Sequence, residues 1–99
     1  MVFRKKHAEG WFRRLAGVMG KEIVEGDNYL KVGAWRFDYS TGYGGAVIEE
    51  IDNEGGGVTR PLGDSRLKPW EFGVMCEAVI SAVRICRWTT FQTRRLYHT

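Results

Sequence analysis

Cysteine, histidine and proline are scarce in this chain, with two of each in 99 residues. His7 and His98 stand at opposite ends and no Cys-x-x-Cys spacing occurs, so a zinc site has no ligand set to draw on. Cys76 and Cys86 fall within a segment read below as one helix, which would hold their Cα atoms roughly 15 Å apart, beyond disulfide reach. They read as reduced core thiols of a cytoplasmic protein. There is no Gly-x-Ser-x-Gly elbow, no His-Glu-x-x-His run and no Gly-Lys-Ser/Thr, which removes the usual nucleophile, metalloprotease and phosphate-loop signatures. The longest apolar stretch, residues 70–88, contains Glu71, Glu77, Arg84 and Arg87, too many charges for a bilayer span. Met1 to Lys6 carries charge, but no apolar segment of the secretory kind follows it. Internal repeats and low-complexity tracts are also lacking. What is left is a folded, soluble, non-enzymatic binding protein that needs no cofactor or metal.

What is present supports that class. Hydrophobic residues make up 43% and aromatics 13% of the chain, enough for one domain to bury a core without a covalent or metal staple. Thirteen glycines against two prolines suit the tight turns of a β-containing domain. The net charge of +3 conceals a division: +5 over residues 1–21, −6 over 22–56 and +4 over 57–99. A uniformly basic nucleic-acid binder would lack the acidic middle, and an acidic mimic of DNA would lack the basic ends.

Between Ala8 and Met19, the residues Trp11, Phe12, Leu15, Val18 and Met19 recur at helical spacing opposite Glu9, Arg13 and Arg14, which predicts an amphipathic helix. Tyr29 to Phe37, Ala46 to Ile51 and Gly57 to Arg60 are rich in aromatic and β-branched residues and are separated by short polar, glycine-containing links. Links this short allow only an antiparallel meander. Pro69 suits a first helical turn, and the pattern from there to Trp88 predicts a long helix with Phe72, Met75, Cys76, Val79, Val83 and Cys86 facing a sheet. Its other side carries Trp70, Val74, Ala78, Ile85 and Trp88, so the helix is apolar on two faces. That second face is expected either to be covered by the N-terminal helix or to form a homodimer seam or docking surface, anchored by its tryptophans. The expected fold is therefore α+β, ordered α-β-β-β-α. It forms a single domain over 1–99, with a core at 8–88 and tails at 1–7 and 89–99, the latter a short strand or ordered tail.

Glu49, Glu50, Asp52 and Glu54 form the densest carboxylate group. Adjacent strand residues point to opposite faces, which parts Glu49 from Glu50 and argues against an acid/base pair; the expected setting is a solvated hairpin edge. Gly42-Tyr43-Gly44-Gly45 is read as a hairpin turn rather than a phosphate cradle. Arg4, Lys5, Lys6, Arg13, Arg14, Arg84, Arg87, Arg94 and Arg95 would neutralise phosphates if the fold gathered both ends on one surface, with Trp11, Trp35, Tyr39 and Tyr43 stacking on bases.

The order helix, three-strand meander, helix resembles that of double-stranded-RNA-binding domains over residues 8–88. The resemblance would place RNA contacts at Glu9 to Arg14, Ser40 to Gly45 and Arg66 to Lys68. The loop Thr41-Gly42-Tyr43-Gly44 and the helix start Leu67-Lys68-Pro69-Trp70 depart from that family's Gly-Pro-x-His and Lys-Lys-x-Ala-Lys elements. In general character the chain also looks like small phage-encoded inhibitors of host defence, of the anti-CRISPR or anti-nuclease type. That likeness implies a non-enzymatic protein that blocks a host nuclease or effector complex by steric occlusion. The leading expectation is such a protein-binding inhibitor or adaptor, cytoplasmic, with a large host protein or nucleoprotein complex as partner. Its expected contacts are Arg13, Arg14, Tyr39, Tyr43, Glu49, Glu50, Asp52, Glu54, Arg94 and Arg95. A nucleic-acid-binding module using the basic ends is the alternative.

Overall fold

Helix α1 runs from Lys5 to Met19, and its start is closed locally, the Arg4 backbone N–H donating to His7 Nδ1 at 3.0 Å. Its end is set by Gly20, which takes a left-handed conformation (φ 68°), while the Lys21 N–H returns to the Ala16 carbonyl at 2.8 Å, satisfying an otherwise orphaned acceptor. The computed structural model describes residues 4–25 and 31–97, and for 90–97 the backbone alone.

Strands β1 (Trp35–Ser40), β2 (Gly45–Ile51) and β3 (Val58–Thr59) form one antiparallel sheet in the order β1-β2-β3. The architecture is α+β with element order α-β-β-β-α. β1 begins later than its composition predicts. Lys31 to Gly33 make a turn instead, with the Ala34 N–H bonded to the Lys31 carbonyl and Gly33 at φ 89°; Tyr29 and Leu30 lie outside the described residues. The register pairs Trp35 with Glu50 and Ser40 with Gly45, so Thr41 to Gly44 form the hairpin loop.

Strand alternation sends Trp35, Phe37, Tyr39, Ala46 and Ile48 to the face that carries both helices. There Ala8, Phe12, Leu15 and Ala16 of α1 meet Trp35, Ala46 and Ile48, and Phe72, Cys76 and Ile80 of the second helix complete the core. Phe37 joins the two helices to the sheet, its ring 5.5 Å from both Phe12 and Phe72. On the rear face a smaller cluster unites Val24, Ala34 and Ile51, with Val58 packed against it.

Helix α2 runs from Pro69 to Tyr97. Pro69 opens it as expected, and the Lys68 N–H is held by Glu71 Oε1 at 3.0 Å. The stretch from Thr89 to Tyr97, expected as a strand or tail, continues the helix: no proline or glycine interrupts it, and Gln92, Arg94, Arg95 and Leu96 favour helix. At 1.5 Å per residue α2 is roughly 43 Å long, against roughly 24 Å for β2. It therefore outreaches the sheet, and Cys86, expected on the buried stripe, is exposed. Trp11 meets Gly73 near the start of α2, and the Arg87 guanidinium donates to the Val18 carbonyl further along at 2.7 Å, so the two helices run in the same direction.

Candidate functional site

The expected carboxylate group is divided by the sheet. Glu49 points to the rear face, where it is only 5% exposed; it pairs with Arg36 and approaches Arg60 Nη2 at 3.7 Å. It was expected on a solvated edge, but β3 pairs with the far end of β2 and makes β2 the central strand. Glu50 points to the helix side and accepts from Trp35 Nε1 at 2.9 Å while Lys21 Nζ stands 3.2 Å away. The indole hydrogen bond, helped by Lys21 and opposed by partial burial, holds its carboxyl below the usual range. Asp52 and Glu54 remain exposed around the β2–β3 turn.

The expected basic and aromatic contacts also separate. Arg13 is engaged with Glu25 at 2.6 Å and Glu9 at 3.6 Å, and Arg14 lies over the Trp11 ring, 5.1 Å from its centroid. Tyr39, expected exposed, is half-buried because its strand parity stacks it on Phe37; Tyr43, at the hairpin tip, is 81% exposed. Trp35 is buried and cannot stack on a base. Arg94 and Arg95 belong to the α2 backbone, and their side chains lie outside the description.

The three regions that the RNA-binding resemblance assigns come partly together. Tyr39, Thr41, Gly44, Gly45, Lys68 and Pro69 line a cleft of about 210 Å³ between the hairpin loop and the start of α2, and Lys5 stands 6.0 Å from the Tyr39 ring. Arg66, however, is bound to Asp38 and to the Gly45 carbonyl. Arg84 lies roughly 24 Å beyond Lys68 at 1.5 Å per residue, so it is no part of this cleft.

The feature that stands apart is the second apolar face of α2. Trp70 is 54%, Val74 59%, Ile85 64% and Trp88 64% exposed. Helix α1 does not cover this face. It packs about 110° around α2 instead, along Gly73, Cys76 and Ile80, where the missing side chain of Gly73 admits the Trp11 indole; a Cβ there would lie 3.1 Å from two indole atoms. Between the helices a groove of about 260 Å³ opens onto the bare face, lined by Trp11, Pro69, Trp70, Gly73, Val74 and Glu77. Sequence periodicity locates the stripe but not the groove; a glycine inside a helix rich in large residues was its only signal.

Other chemistry finds little footing. Cys76 is buried, which pushes its thiol up to about 12, so it holds its proton at neutral pH. Among the described residues no group of three His, Cys, Asp or Glu side chains could hold a metal ion, and no helix is long and apolar enough to cross a membrane. Comparison with protein-family models, curated proteins and solved structures finds no match for this chain.

Proposed function

We propose that this chain is a protein-binding adaptor or inhibitor with no catalysis of its own, acting by covering a surface of a larger protein or nucleoprotein complex. One observation carries this reading: Trp70, Val74, Ile85 and Trp88 lie bare in a row along α2. Tryptophan is among the residues most enriched at interface hot spots, and an apolar strip bordered by the exposed Glu77 and Arg84 has the greasy centre and charged rim of a binding patch. The alternation of basic and acidic segments adds steering and orientation. Its inhibitory form is occlusion of a bacterial defence nuclease or effector, as the likeness in type implies.

The test is co-purification of the tagged chain from bacterial lysate, with and without nuclease treatment, alongside a Trp70→Asp/Trp88→Asp variant. A polypeptide retained by the native chain and lost with the variant is the expected result. Recovery of nucleic acid alone overturns the reading.

The nucleic-acid alternative draws on the cleft that holds Tyr39, Thr41 and Lys68, with Lys5 beside it. Its signature would be affinity for a duplex falling linearly in log–log terms with salt, at a slope of about −0.9 per phosphate neutralised on DNA. The engagement of Arg13 and Arg66 by carboxylates favours the protein-binding reading.

A further inference from the structure

We infer that the occupant of the bare face of α2 is a second copy of this chain, lying antiparallel across it; the inference rests on the reading of that face as a protein-binding surface and sets a copy of the chain there in place of a larger partner. The stripe is close to a palindrome. Trp70 and Trp88 stand symmetrically about Val79, Val74 and Ile85 lie inside them, and the oppositely charged Glu77 and Arg84 lie on either side of the centre. A two-fold interface requires a surface complementary to itself, and this one is.

With the two-fold axis at the level of Val79, Trp70 of one copy lies level with Trp88 of the other, and Val74 with Arg84 and Ile85. Helical side chains lean toward the N-terminus of their own helix. Glu77 therefore leans toward the level at which Arg84 of the second copy crosses, and Arg84 leans toward the level of Glu77, so symmetry forms the opposed pair twice. A parallel, in-register pairing sets Glu77 on Glu77 and Arg84 on Arg84, like charge against like. The same lean carries Trp88 of the second copy over Gly73 and Val74, onto the groove of about 260 Å³ between Trp11 and Trp70. Glu77 at the rim of that groove offers an acceptor to an incoming indole N–H.

The area agrees. At 54% and 64% exposure, the two indoles present roughly 300 Å² of apolar surface. With Val74, Ala78 and Ile85 each chain offers on the order of 500 Å², and two chains bury on the order of 1,000 Å², the lower end of a specific interface.

Sedimentation equilibrium of the full chain over about a hundredfold range of concentration reads the mass-action dependence directly. A monomer–dimer equilibrium is expected, with Trp88→Asp and Trp70→Asp each monomeric at unchanged far-ultraviolet circular dichroism. Glu77→Arg and Arg84→Glu should each weaken association tenfold or more, and the double variant should recover it. In a Cys86→Ser background, mixing Val74→Cys chains with Ile85→Cys chains should give a mixed disulfide, whereas the parallel arrangement cross-links Val74→Cys to itself. Self-cross-linking of Val74→Cys, or a monomer throughout the range, overturns the proposal. If the monomer still captures another protein in a manner that Trp70→Asp abolishes, the protein-binding reading survives without the second copy; if it captures none, both fail.

Discussion

Gly45 shows how closely single positions are specified. It is buried at φ 124°, and a Cβ would stand 2.1 Å from the Leu67 carbonyl oxygen, because the chain before α2 crosses there and exchanges two backbone hydrogen bonds with Ala46. Gly45→Ala should cost on the order of 2–4 kcal/mol in chemical denaturation, combining backbone strain with a steric clash. Glu49 answers two guanidinium groups on the rear face. Glu49→Ala should destabilise by about 3 kcal/mol, since it removes the shared carboxylate from an ion cluster that is largely out of water. Glu50 supplies a pH test. Its carboxyl titrates below the usual range in the folded protein, so its stabilisation is complete above the unfolded value of about 4.3 and is lost as pH falls through the lower, folded value. Glu50→Gln keeps an acceptor for the Trp35 indole but not the charge facing Lys21. The stability gap between native chain and variant should be widest at neutral pH and should close in acid, as denaturation midpoints at several pH values would show.

Among the elements, α2 is governed by its length. Its first half is clamped between sheet and α1 through Phe72, Cys76 and Ile80, while beyond Ile80 the described side chains are exposed apart from the half-buried Val83. Amides near Cys76 should exchange with deuterium only on global unfolding, and those between Arg84 and Trp88 through local opening. The Arg87 bond to the Val18 carbonyl ties the end of α1 to this outer half. Arg87→Ala should speed exchange there and leave the amides around Cys76 unchanged.

At the level of the whole chain, the exposed tryptophans and the sheet lie on different sides of α2, so docking at one need not disturb the other. If the face is self-covered, the thermal midpoint should rise with protein concentration, whereas Trp88→Asp should make it concentration-independent. The net charge of +3 gives little long-range repulsion against such pairing, and local charge placement sets its direction.

The elements themselves were legible in residue pattern: the helical spacing of Phe12 and Leu15, the β-branched and aromatic run ending in the hairpin glycines, and Pro69 opening a helix with two apolar faces. Local propensity and periodicity act over a few residues and need no knowledge of neighbours. Which face of α2 stays bare was not legible there, because the packing of Trp11 on Gly73 joins residues far apart in sequence and turns α1 away from Trp70 and Trp88. The fates of Glu49 and Tyr39 depended likewise on strand order and on what covers each side of the sheet. Burial is a property of assembled layers, and three-dimensional packing alone separates an ion-paired carboxylate or a stacked ring from its solvated counterpart.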